Sequence, residues 1–248
     1  MKGWEPFSHA SDSRIGVLVS HGFTGGPTSV IHLARRLAEA GFNVECPCLS
    51  GHGTRWQDII GVTDEDWLAD LEAARQSLAS RCEAVFIIGL SMGGTLVLRL
   101  AQMEPSLRGV VLINHALVFN SPLVPFAGIL KHVISSTSAI ASDIKDPGEK
   151  EPAYDRTPTA GVAELYRLAR VTRLGLPQLR QPLLIFKSRE DHVLPVSNAT
   201  LTFQEAGSKD KELVWLDNSF HVATMDFDKE LIADRCLGFI QRLSKEPA

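Results

Sequence analysis

Short apolar runs recur along the chain at 15–20, 84–88, 110–113 and 182–186. Each is too short for a helix and is bounded by glycine, proline or small polar residues, the pattern of a buried strand. Residues 42–48 alternate apolar and polar, and 212–216 add a sixth run of strand character. Between these runs the spacing changes to that of helices. Val30, Ala34, Leu37 and Ala38 share one face, Arg35, Arg36 and Glu39 occupy the other, and Gly41 ends the segment. Thr63 is placed to cap a second helix, with Asp64, Glu65 and Asp66 in its first turn and Leu68, Leu71, Ala74 and Leu78 as its inward stripe. A third follows residue 91, Pro195 and Gly207 bracket a fourth, and Leu231, Ile232, Cys236, Phe239, Ile240 and Leu243 mark a C-terminal one. Strands and helices in alternation predict an α/β protein, with a mostly parallel sheet covered on both faces. Residues 1–13 show no clear strand, so six or seven strands are expected.

The alternation lapses between 117 and 179. Apolar patches there (123–134 and Ile140) flank a polar, proline-bearing run at 146–152, and helical spacing returns at Val162, Leu165, Leu168 and Ala169. A structureless connection of this length would be unusual in a compact domain. The expected organisation is a core of residues 1–116 and 180–248 carrying a small helical cap, 117–179.

Composition narrows the class without naming a chemistry. The 248 residues carry 25 basic and 29 acidic side chains, and the basic ones are scattered, so no nucleic-acid footprint is present. No apolar stretch is long enough to span a bilayer, and the N-terminal residues lack the apolar run of a signal peptide. Cys46, Cys48, Cys82 and Cys236 lack metal-ligand or redox spacing, which predicts four reduced thiols in a cytoplasmic protein.

Chemistry enters at Gly89-Leu90-Ser91-Met92-Gly93-Gly94. A G-x-S-x-G pattern between a buried strand and a helix is a nucleophile elbow, in which a sharp turn projects the serine hydroxyl toward a base. Glycines two residues to either side relieve crowding around such a turn. With an elbow of this kind, acid and histidine follow in that order, on loops after later strands. Of eight histidines only His192 and His221 lie late enough, and His221 directly follows the run ending at Leu216. The acid is expected at Asp191, with Glu190 and Asp217 as lesser candidates. Two backbone N–H groups should form an oxyanion hole, that of Met92 after the nucleophile and that of Phe23 in the His21-Gly22-Phe23 loop. His21 is then structural, its ring bonded to main chain in the turn.

The motifs His21-Gly22-Phe23-Thr24-Gly25, Gly51-His52-Gly53, Gly89-Leu90-Ser91-Met92-Gly93-Gly94, Asp191-His192-Val193 and Ser219-Phe220-His221-Val222 together resemble the α/β-hydrolase superfamily. Within it the chain is similar to bacterial monoacylglycerol lipases and small carboxylesterases. The resemblance implies a serine esterase with no metal or organic cofactor, acting on monoacylglycerols or similar short- to medium-chain esters through an acyl-enzyme on Ser91. The implied partner is a small ester or lipid, with transient contact at a lipid surface, no stable membrane insertion, and a monomer or homodimer. Ile134 and Ile140 are candidates for the acyl-pocket wall, although packing within the cap would account for them equally well. A serine nucleophile argues against dehalogenases and epoxide hydrolases of this fold, which need a carboxylate at that position. It leaves a thioesterase, a lactonase, a carbon–carbon bond hydrolase or a non-catalytic binder as alternatives.

Overall fold

The computed structural model describes residues 3–140 and 142–245; residues 1–2, the start of the polar lead-in, lie outside it, as do 141 and 246–248. The strands are β1 Phe7–His9, β2 Ile15–Ser20, β3 Asn43–Cys46, β4 Ala84–Leu90, β5 Gly109–Ile113, β6 Ser136–Ser138, β7 Arg156–Pro158, β8 Leu183–Ser188 and β9 Lys211–Leu216. The helices are α1 Ile31–Glu39, α2 Asp64–Ala79, α3 Met92–Met103, α4 Ala127–Leu130, α5 Thr159–Leu174, α6 Ser197–Glu205 and α7 Lys229–Lys245. Among the described residues, seven strands form the main sheet in the order β1-β3-β2-β4-β5-β8-β9, all parallel except β1, which pairs antiparallel with β3. This is the α/β-hydrolase fold.

The apolar runs become strands because a parallel sheet buries both faces of its central members. Residues 85–90, 109–113 and 183–188 are buried without interruption. Leu71 and Leu78 of α2, Leu96 and Leu100 of α3 and Ala199 of α6 pack on one face; Leu33 and Leu37 of α1 and Ile232, Cys236 and Ile240 of α7 pack on the other. Thr63 caps α2 as expected, accepting from the Asp66 N–H while the Asp66 carboxylate takes the Thr63 N–H at 2.8 Å. Trp67 joins the buried stripe of that helix, whereas Leu68 and Ala74 are only half-buried.

Register decides where the loops emerge. Ser20 pairs with Gly89, Leu90 with Ile113, Ile113 with Phe186 and Ser188 with Leu216, so the carboxyl ends of β2, β4, β5, β8 and β9 finish along one edge. Parallel α/β sheets bind ligands beyond that edge. The segment between β5 and β8 lies over it. It contains α4 and α5, with α5 packed on α3 and α4, and also β6 and β7, a two-stranded antiparallel ribbon that a purely helical reading omits. Both strands of that ribbon are three residues long and largely polar, so nothing in their hydrophobic pattern marks them.

Candidate active site

Ser91 occupies the turn from β4 into α3, with φ 55° and ψ −118°. A non-glycine residue held there stores about 1–3 kcal/mol of strain. Buried elements on both sides enforce it, and the Ser91 N–H donates to the Ile113 carbonyl at 2.9 Å. The glycines have distinct duties. A Cβ on Gly89 would run into the Gly93 backbone, and one on Gly93 would run into the carbonyl oxygens of Ser20 and His21 at the end of β2. One on Gly94 would meet the His115 Cβ at 2.6 Å.

His221 arrives on the loop after β9, its Nε2 2.9 Å from Ser91 Oγ. Its Nδ1 lies 3.1 and 3.0 Å from the two carboxylate oxygens of Asp191, which comes from the loop after β8. Nδ1–H therefore donates to the carboxylate, and Nε2 is left to accept the serine proton. The Val193 and Leu194 N–H groups each donate to Asp191 Oδ1 at 2.9 Å. Burial opposes ionisation of Asp191, but the facing His221 and, behind it, Lys187 outweigh it and hold the carboxyl well below the usual carboxylate range.

The other acids and histidines considered from sequence pair with other groups. Glu190 pairs with Lys145 at 3.1 Å and Asp217 with Arg189 at 2.8 Å, both exposed. His192 places Nδ1 2.8 Å from Asp143 Oδ1 with its ring largely in solvent, and that bond raises its pKa. His21 bonds main chain on both sides, Nδ1 to Gly22 O at 2.9 Å and Nε2 from the Leu49 N–H at 3.1 Å. His52 of the Gly51-His52-Gly53 motif stacks edge-on against His21 with centroids 5.0 Å apart. Burial, then the His52 charge, lowers His21 to about 3, against the bond to Gly22. Burial lowers His52 to about 4, against backbone bonds to Ser50 and Leu49. Both rings are therefore neutral props for the 21–25 loop.

A cavity of about 220 Å³ opens at Ser91 and His221, walled in part by Phe23, Phe119, Ile140 and Glu151. Gly22 passes so close that a Cβ on it would lie 3.2 Å from the Ser91 Cβ. Met92 is buried as the first residue of α3. Ile140 is in the cavity wall, but Ile134 is not; it is 43% exposed and the structure does not bring it to the site.

Four polar residues that sequence reasoning missed complete the surroundings. Asn114, at φ 44°, donates to Ser188 Oγ at 3.0 Å and to His221 O at 2.8 Å and accepts from the Ser188 N–H, tying the ends of β5, β8 and β9 together. Asp143 accepts from the backbone N–H groups of His192 and His221 at 3.2 and 3.1 Å. Glu151 faces the cavity; burial raises its pKa, against the Ser142 N–H and the His221 charge. Lys187 is buried behind Asp191. The only trace of these in the sequence is a polar residue directly after, or inside, a buried apolar run, which Asn114 and Lys187 both are.

The chain is similar to known proteins in sequence and in fold. The Hydrolase_4 family, described as serine aminopeptidase, S33, matches residues 11–228. A thermostable monoacylglycerol lipase of Bacillus sp. (strain H-257) is 43% identical over 98% of this chain and 96% of its own. A carboxylesterase of Bacillus subtilis (strain 168) is 26% identical over 96% and 97%. A structure solved in work on LipS and LipT, two metagenome-derived lipolytic enzymes, superposes with a TM-score of 0.94 at 44% identity, covering 98% of this chain and 99% of that one.

Proposed function

We propose a function on one premise: the chain belongs to the Hydrolase_4 family, serine aminopeptidase S33. It is a carboxylic ester hydrolase of the monoacylglycerol lipase and carboxylesterase type. The observation that carries the mechanism is the 2.9 Å contact between His221 Nε2 and Ser91 Oγ, backed by Asp191 on Nδ1. Ser91 attacks the ester carbonyl as His221 takes its proton. The N–H groups of Phe23 and Met92 hold the oxyanion, each worth about 3 kcal/mol in the transition state. His221 then protonates the leaving alcohol, and water cleaves the acyl-enzyme by the same route. Asp191 orients the ring and steadies its charge without taking the proton.

The preferred substrate in this reading is a monoacylglycerol. An apolar wall of Phe23, Phe119 and Ile140 suits an acyl chain, and the Glu151 carboxyl is an acceptor for hydroxyls of a polyol leaving group. Residues 117–179 act as a cap over a core of 1–116 and 180–248. The exposed side chains of Leu123, Phe126, Ile129 and Val133 suit transient contact with a lipid surface. No helix among the described residues is long and apolar enough to cross a membrane. Four unpaired cysteines suit a reducing compartment, and the cytoplasm is proposed as the location. One chain supplies the whole site, so a monomer and each half of a homodimer are equally competent.

Hydrolysis of 1-monoolein should far exceed that of di- or triolein, and a serine-directed phosphonate should label wild type but not Ser91→Ala. Turnover should fall by several orders of magnitude in Ser91→Ala and in His221→Ala, and little further in the double variant, because the triad acts as a unit. The reverse lipid preference would remove the monoacylglycerol reading. Absence of labelling in wild type would remove the enzyme mechanism.

A further inference from the structure

Asp191 meets a second cation that the mechanism above does not use. Lys187 is the fifth residue of β8, in a stretch otherwise made of core side chains, and both it and Asp191 have fully buried side chains. Its ammonium bonds to Asp191 Oδ2 and donates to Leu194 O at 3.1 Å. Asp191 is already fixed without it: two backbone N–H groups hold Oδ1, and His221 Nδ1 spans both oxygens. What Lys187 adds is a positive charge on the oxygen that also faces the imidazole.

We propose that Lys187 is a positioning residue whose charge sets the pH at which His221 becomes a usable base. The buried ammonium draws on the Asp191 charge that would otherwise stabilise the imidazolium, so His221 sheds its proton at a lower pH and the enzyme works further into acid. The inference rests on the triad reading of Ser91, His221 and Asp191. A buried lysine of this kind persists only when paired, because an isolated ammonium in the interior costs several kcal/mol. Burial lowers the Lys187 pKa, and Asp191, then Asp143, act against that loss.

The charged and titratable groups that face Lys187 and His221 come from three segments. Asp191 belongs to the loop after β8. Asp143, in the segment before β7, bonds the His192 and His221 N–H groups and faces Lys187. His115, after β5, is lowered to about 3 by burial and then by Lys187, against a backbone bond to Asn198, and stays neutral throughout the working range. Glu151 faces His221 from across the cavity. His192 pairs with Asp143 at the surface. None of these residues is itself altered in a Lys187 variant.

The test is the pH profile of kcat/KM on a short-chain p-nitrophenyl ester for wild type, Lys187→Met and Lys187→Gln. Methionine removes both charge and hydrogen bond, whereas glutamine removes the charge and keeps a donor for Asp191. Both should move the acidic limb upward by about one pH unit, a tenfold gain in proton affinity, as expected when a cation near a histidine is lost. A merely structural role would lower the melting temperature and kcat and leave the limb where it was. An unmoved limb in either folded variant overturns the proposal. So does a limb that moves in Lys187→Met alone, since the hydrogen bond rather than the charge would then be responsible. NMR titration of the labelled His221 ring reads the same shift without turnover, so failure of the esterase reading and failure of this one are separable. If neither variant folds, 15N spectra of lysine-labelled wild type decide: an ammonium at Lys187 between pH 5 and 8 supports the proposal, and a neutral amine overturns it.

Discussion

The backbone of Ser91 is held at φ 55° only because three neighbours have no side chain to obstruct it. Gly93 is the most exacting of them, because a Cβ there meets main-chain carbonyls of Ser20 and His21 that cannot move without shifting β2. Gly93→Ala should therefore cost about 3 kcal/mol or more, at the upper end for overpacking a fitted core. It should also abolish phosphonate labelling at Ser91. A variant that melts within a degree of wild type and still labels would mean the elbow tolerates far more than its packing suggests. The glycine pattern and chain order pointed to Ser91, Asp191 and His221, and the structure brings these three side chains together. Asn114, Asp143, Glu151 and Lys187 follow no local spacing. Each matters through a partner about 40 or more residues away or through burial, as with the Asn114 bond to His221 O across 107 positions, and a single sequence records neither.

At the scale of elements, strands with long apolar runs and helices with caps or stripes were readable, since burial writes itself into periodicity. The three-residue strands β1, β6 and β7 were not, because so short an element shows no period. Nor was the way the segment at 142–154 is fastened. Asp226, wholly buried, accepts from the N–H groups of Lys145 at 2.7 Å, Asp146 at 3.0 Å, Phe220 at 2.9 Å and Phe227 at 2.8 Å. One carboxylate thus joins the segment over the cavity to the loop that carries His221. Hydrogen bonds to a charged group contribute about 1.5–3 kcal/mol each, and unmet buried donors carry a further penalty. Asp226→Ala should destabilise the protein by about 3–5 kcal/mol. Amide exchange at Lys145, Asp146 and Phe220 should accelerate together, and kcat/KM should fall as the His221 loop loosens. Exchange that quickens at Phe220 alone would show the segment to be anchored elsewhere.

For the molecule as a whole, the placement of neutral histidines makes acid the natural route to unfolding. His21, His52 and His115 are buried at the sheet edge that carries the site, with pKa values lowered to about 3, 4 and 3 respectively, burial being the largest cause each time. In the unfolded chain each should titrate near 6.5. Below that pH the unfolded state binds three protons that the folded state refuses, so stability is complete above about pH 6.5 and declines as pH falls toward the folded values. Each histidine contributes about 1.4 kcal/mol per pH unit across that window, on the order of 4 kcal/mol per unit for the three. Asp191, held below the carboxylate range, adds a loss of the same sign further into acid. Glu151 works the other way, since burial raises its pKa and it regains stability as it protonates. A domain typically has about 5–15 kcal/mol in hand, so unfolding should set in between about pH 5 and pH 4. Urea titrations at half-unit steps from pH 7 to pH 4 would trace the decline. His115→Gln keeps a polar group for Thr202, whose hydroxyl lies 2.7 Å from the His115 ring, and removes one of the three protons. It should reduce the slope by about a third, and an undiminished slope would mean that groups other than these histidines govern the acid limit.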